Sequence, residues 1–363
     1  MTPALAHAGS AFKGYGRGVE RWQRAVAAVE RRADRSRGDA LDRLAEAVGW
    51  SEARAEQRAS QLCASGRVTL NFHPDRMDRA GRTVAGGLAA DGRYRSQWAT
   101  WISNGGRSAV TGGERQRWER ELFAGSYDGA PEAVERPVYG ALDLLRDPHG
   151  GSPRFGSSYL VLVPAVLDRV TLCVGDSHVG PDDVATAARP LPILAGLVEQ
   201  ARAGRLLGRP LGIADLEAVL TGRSVLEGPS RDLDHYVEAQ VHGGVDLSTE
   251  VEAVVVDPSF RGTEVEADLE IAAGRAGFEV RWHRGSELPV ERVPDDYRGP
   301  TMPELARTVA VGGVVDARAI GLAATDLDLG PPRPAGDGPR SLAQQLKYLW
   351  HTVLAKGRDA ADG

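Results

Sequence analysis

The run Tyr236-Val237-Glu238-Ala239-Gln240-Val241-His242 alternates polar and apolar residues without a break. Side chains on a strand repeat every two residues. The run therefore puts Tyr236, Glu238, Gln240 and His242 on one face and Val237, Ala239 and Val241 on the other. The apolar face needs a core. The polar face has two readings: a half-buried edge strand with one side in water, or a site. A carboxylate, an amide and an imidazole side by side can hydrogen-bond a ribose, polarise a bond or hold a metal.

Around this run the pattern predicts an α+β chain. Apolar residues recur at helical spacing over 19–64, through Trp22, Val26, Val29, Ala33, Leu41, Leu44 and Val48. Ser51 is placed to cap a last helix ending at Ser65-Gly66. Strands are predicted over 67–73, where Pro74 stops the ladder, and over 138–142, 159–163, 170–174, 236–242, 251–256 and 278–283. Helices are predicted over 181–203, 213–220 and 265–276. The stretch 90–151 has little periodicity and reads as long functional loops. Residues 330–339 read as a Pro/Gly linker leading to an amphipathic helix over 341–354, with Leu342, Leu346, Leu349 and Val353 on one stripe, which docks on the domain or on a partner. Four segments follow: helical 1–66, an α+β domain 67–300, an extension and linker 301–340, and a C-terminal helix and tail 341–363.

A chain of 363 residues, 42% hydrophobic, can bury one large core with appendages. Its 44 basic and 50 acidic residues leave a net charge of -6 with no dense basic block, which argues against a surface that tracks nucleic-acid phosphates. Only Lys13, Lys347 and Lys356 are lysines; the arginine excess looks like a coding bias. Cys63 and Cys173 fit neither a disulfide framework nor a zinc spacing. With no signal-peptide pattern and no membrane-length apolar run, a cytoplasmic location is expected; specialised secretion as a toxin or effector leaves no such signal.

Three constellations carry chemistry. Asn71-Phe72-His73-Pro74-Asp75-Arg76 crowds polar side chains at a strand end, or is simply a capped turn. A glycine-rich stretch, Gly86-Gly87-Leu88, then Gly92-Arg93-Tyr94-Arg95-Ser96-Gln97-Trp98 and Ser103-Asn104-Gly105-Gly106, offers backbone N–H groups and stacking rings, while lacking the phosphate-cradle spacings of P-loop and dinucleotide folds. Arg154-Phe155-Gly156-Ser157-Ser158 enters a strand without forming a nucleophile elbow. Gly175-Asp176-Ser177-His178 adds an Asp/His pair.

Taken in order, these pieces resemble the ADP-ribosyltransferase superfold of the H-Y-E type, and the phrases NFHPDR, ISNGG, RFGSSY and EAQVHG resemble a bacterial domain-of-unknown-function family, number 3626. The resemblance implies a split mixed or antiparallel sheet gripping NAD as substrate, with His73 anchoring ribose and nicotinamide and Glu238 acting at the reacting ribose. It further implies dinucleotide contacts from Arg76, Tyr94, Arg95, Ser96, Trp98, Ser103, Ser157 and Gln240. Tyr94, Ser96, Ser103 and Ser157 compete for the middle Tyr or Ser position. Tyr236 stands where protein-modifying members carry an upstream acidic residue or Gln. The acceptor is open: protein, nucleic acid, small molecule or water.

Two rivals remain. One is a metal-dependent hydrolase using His73, Asp75, Asp176, Glu238 and His242; the other is a non-enzymatic interaction module.

Overall fold

The computed structural model describes residues 18–102, 109–130, 136–226, 228, 232–325 and 342–360. Two helices come first, Gly18–Val48 (α1) and Glu52–Ser65 (α2). Gly49, at φ 66°, ends α1, and the Ser51 side chain accepts from the Arg54 N–H to start α2. Ala40, Leu44, Ala59 and Leu62 are fully buried.

Eight strands build the central sheet: Arg67–Phe72 (β1), Val138–Asp143 (β2), Ser158–Leu162 (β3), Val170–Val174 (β4), Val184–Thr186 (β5), Val237–Val241 (β6), Val251–Val256 (β7) and Glu279–Trp282 (β8). Their order is β8-β7-β3-β1-β2-β6-β4-β5. All pairs are antiparallel except β7 with β8, which is joined through helix Glu264–Ala276. The α+β class is as the sequence predicts. The eight strands form one continuous sheet in place of a split pair, and its ladder forks at one point. β1 pairs with β2 only from Arg67↔Asp143 to Thr69↔Ala141. Beyond that point Leu70–Phe72 stay with β3, and residues 138–140 stay with β6. At the neck of the fork a side chain on Gly140 would start 2.1 Å from the Thr69 carbonyl oxygen, so this close approach requires glycine.

The two faces of the sheet have different covers. Val68, Leu70, Leu172, Val237, Ala239 and Val241 belong to the main apolar cluster with Leu62 of α2 and Leu194 and Val198 of helix Leu191–Arg202. The other face is polar, and it is buried as well: Glu238 is 4% exposed, Gln240 and His242 fully buried. β6 is an inner strand between β2 and β4, which corrects the reading of a solvated edge.

Other differences have local causes. The helix expected over 181–203 is only Leu191–Arg202, because Pro190 cannot sit inside a helix, and Val184–Thr186 instead forms an edge strand. The aperiodic stretch 90–151 contains helix Glu114–Leu122, whose buried residues are Glu119 and Leu122, so no apolar stripe betrays it. Helices Met302–Val309 and Ala317–Thr325 occupy the expected extension, while the Pro/Gly linker lies outside the described residues. The C-terminal helix Leu342–Lys356 docks on the domain, where Trp350 Nε1 donates to the Pro153 carbonyl at 2.9 Å. Among the described residues no helix is long and apolar enough to cross a membrane.

Candidate functional site

The fork opens a cleft of about 400 Å³, within the range of small-molecule sites. One wall is the free end of β1, with Asn71, Phe72 and His73, followed by Leu88, Tyr94, Arg95 and Ser96. The facing wall carries Val138, Tyr139 and Glu238, the turn Asp176-Ser177-His178, and Arg115 and Trp118 of the helix Glu114–Leu122. Phe155 and Lys347 complete it, so the C-terminal helix contributes to the same cavity.

His73 is 5% exposed and meets the Trp350 ring edge-on, centroids 5.5 Å apart. Burial, then Arg76 and His351, hold its imidazole well below the usual proton affinity. It is a neutral ring at physiological pH. Asn71 is a clamp: its Nδ2 donates to the carbonyls of His149 at 2.8 Å and Gly156 at 3.3 Å, and its Oδ1 accepts from the Ser152 N–H. That fixes the loop before β3.

Glu238 faces the cleft from an inner strand. Burial, reinforced by Asp176, raises its carboxyl to about 7, while hydrogen bonds from Ser177 and Gln240 and the charge of Arg115 oppose the rise. A carboxyl that titrates near neutrality in a cleft is what acid–base or charge-stabilising chemistry requires. Arg115 lies 4.8 Å from the Trp118 ring centroid and 4.5 Å from that of Tyr139. Its Nε and Nη1 are buried without a hydrogen-bond partner among the described residues, as are Ser96 Oγ, Gln97 Oε1 and Trp118 Nε1, all on cleft-lining residues.

Of the residues singled out in the sequence, His73, Glu238, Tyr94, Arg95 and Ser96 line the cleft. Arg95 also pairs with Asp91 at 3.2 Å. Arg76 does not line it; its charge is buried beside Asp75. Trp98 is a core residue, with the Arg136 guanidinium 3.7 Å from its ring centroid and its Nε1 donating to Glu119 Oε1. Ser157 is buried away from the cleft, and its carbonyl accepts from His283 Nε2 at 2.7 Å. Gln240 sits behind Glu238 and donates to it. Ser103 lies outside the described residues.

Sequence reasoning missed Arg115, Trp118, Tyr139 and Lys347. Tyr139 could have been found by extending the period-two reading to β2. The five side chains of the metal-hydrolase alternative do not converge: among the described residues no three His, Cys, Asp or Glu are placed to hold one metal ion. His242 is engaged elsewhere, by Tyr127 and Thr171.

A family model described as "Protein of unknown function (DUF3626)" matches residues 67–356, from the first residue of β1 to the last of the C-terminal helix. The chain is also 28% identical over 179 residues to the "Gene 2 protein" of Mycobacterium phage L5, a match covering 47% of this chain and 60% of the phage protein. The chain thus spans less than two thirds of that relative's length.

Proposed function

The chain belongs to this family of unknown function, and on that premise we propose that it cleaves the nicotinamide–ribose bond of NAD, as an ADP-ribosyltransferase or an NAD glycohydrolase. One observation carries the reading: the sheet forks between β1 and β2, with His73 at the end of one prong and Glu238 on the opposite wall of a single cleft. That is the arrangement expected if a dinucleotide lies across the fork.

In this reading nicotinamide leaves with the bonding electron pair, and the ribose carbon develops oxocarbenium character. An acceptor nucleophile or water then attacks that carbon and loses a proton. Ionised Glu238 hydrogen-bonds a ribose hydroxyl and stabilises the positive charge, an interaction strengthened by the dry wall around it. The incoming cation in turn favours the ionised carboxylate. His73, neutral and held by Trp350, positions the nicotinamide ribose. Tyr94 or Phe155 supplies a face for a flat ring, and the guanidinium of Arg115, a cleft-lining residue, meets the pyrophosphate. A cytoplasmic location, with NAD at hand, completes the proposal.

The test is incubation with NAD labelled in its adenylate part, with and without cell lysate, for the wild type and Glu238→Gln. The expected result is nicotinamide release or label transfer that falls by about a hundredfold or more in the variant, with NAD affinity within a few-fold. Equal turnover by the variant, or no NAD binding by the wild type, refutes the reading.

A further inference from the structure

We propose that Tyr127, His242, Thr171 and Gln240 form a one-way hydrogen-bond chain that positions Glu238 for work in the cleft; this rests on the role assigned to Glu238 above. The chain is continuous and buried. Tyr127 Oη lies 2.6 Å from His242 Nδ1, His242 Nε2 lies 3.0 Å from Thr171 Oγ1, Thr171 Oγ1 donates to Gln240 Oε1 at 2.7 Å, and Gln240 Nε2 donates to Glu238 Oε1 at 2.8 Å. None of Tyr127, His242, Thr171 and Gln240 is more than 3% exposed.

Its direction follows from counting protons. An ionised Glu238 can only accept, so Gln240 must present its NH₂ to it, leaving its carbonyl for Thr171. Thr171 has one hydroxyl proton and spends it on that carbonyl. Toward His242 it can therefore only accept, which places the imidazole proton on Nε2. The bare Nδ1 then accepts from the Tyr127 hydroxyl. Burial, with Arg169 beside it, drives the His242 proton affinity down to about 3, so the ring stays neutral and a doubly protonated form does not break the order. His242 is also wedged by Phe123, edge-on at 4.9 Å, and by Tyr127, stacked at 6.0 Å.

Thr171 is the informative link because it never reaches the cleft. Thr171→Val keeps the shape and removes the proton that orients Gln240. The amide is then free to turn its carbonyl toward Glu238, where two acceptors repel and the carboxylate loses its hydrogen bond. Thr171→Ser restores the hydroxyl. A purely structural threonine would alter stability without altering the carboxyl of residue 238 in this hydroxyl-dependent manner.

The experiment is a carboxyl-carbon NMR titration of protein labelled at glutamate, with the Glu238 signal assigned by its absence in Glu238→Gln. The charged and titratable groups around Glu238 are Asp176 and Cys173 from β4 and the turn after it, Arg115 from the helix over the cleft, and Tyr139 and Tyr236. All of them are unchanged in the Thr171 variants. Thr171→Val is expected to move the Glu238 midpoint to higher pH, and Thr171→Ser to return it to the wild-type value. Tyr127→Phe, at the far end, gives a smaller shift in the same direction and serves if the valine variant does not fold. A wild-type midpoint in the folded valine variant, or in Tyr127→Phe if only that variant folds, overturns the proposal. Where NAD turnover is measurable, Thr171→Val is expected to lower kcat at least roughly tenfold with KM within threefold, and an unchanged kcat also overturns it. Absence of NAD turnover in the wild type refutes the NAD reading alone, since the titration needs no substrate.

Discussion

Replacing Glu238 by Gln should stabilise the folded protein, and by an amount that grows with pH. Burial and Asp176 raise the folded carboxyl from its usual 4.5 to about 7. The folded state therefore keeps its proton over a range in which the unfolded chain has released it. Stability attached to this group is fully present below about pH 4.5 and is lost as pH rises through 7. At about 1.4 kcal/mol for each pH unit between the two values, the wild type forfeits roughly 3 kcal/mol by pH 8. Glutamine is isosteric with the protonated acid and can still accept from Gln240, so the variant avoids this loss. The carboxyls of Asp75, Asp143, Asp257 and Asp316 are also raised by burial, but they are common to both proteins and cancel in the difference. Urea unfolding of both proteins from pH 4.5 to 8.5 is the assay. The expected difference is near zero at the acid end, with the variant increasingly ahead above pH 6. A pH-independent difference, or a variant less stable at pH 8, would show that the carboxyl is solvated or compensated and would remove the basis for calling it a poised group.

Three further outcomes are expected. Arg136→Met should cost about 3–5 kcal/mol in urea unfolding, because Arg136 Nη1 donates to Glu119 Oε2 at 2.9 Å with both side chains at most 4% exposed, and the lone carboxylate would remain buried; a loss below about 1 kcal/mol contradicts this. Gly140→Ala should destabilise by more than the roughly 1–3 kcal/mol of ordinary overpacking, since its Cβ would meet backbone at 2.1 Å rather than a side chain that can move; a crystal structure of the variant with an unchanged fork refutes the argument. Arg115→Met should weaken NAD binding by roughly tenfold to a hundredfold in calorimetry, the worth of a charged hydrogen bond, with little change in thermal midpoint; unchanged affinity removes Arg115 from the dinucleotide site.

How much of this was legible depended on which physical signal each element emits. β4 and β7 match their predicted limits, because half-buried and buried strands advertise themselves by period and by β-branched residues. That β6 is an inner strand was not legible. Alternation fixes which residues share a face, while what covers each face depends on β2 and β4 and on the segment that carries Tyr127. The helix bearing Arg115 was invisible for the opposite reason: Glu114-Arg115-Gln116-Arg117-Trp118-Glu119 has no apolar stripe, since it buries an ion pair in place of one. His73 and Glu238, singled out because strand ends and polar strand faces can present chemistry, both line the cleft. Trp98 was misassigned because its true partner, Arg136, lies far along the chain.

The polar face of the sheet bears on the proposal that the cleft is a site. Burying Thr171, Gln240 and His242 costs stability unless every donor finds an acceptor, and here the hydrogen bonds run on without interruption until they reach Glu238. Along this run the polar atoms are paired. On cleft-lining Ser96, Gln97, Arg115 and Trp118 such atoms lack a partner among the described residues. The cleft is lined by polar and charged side chains, among them Glu238, Asp176, Arg115 and Lys347, which suit a polar occupant better than an apolar one. The dinucleotide proposed above, with its pyrophosphate, hydroxyls and carboxamide, can meet such groups; a purely apolar ligand cannot. Competition binding can tell the two apart, because ADP-ribose should displace NAD from the cleft whereas an apolar ligand of similar volume should not.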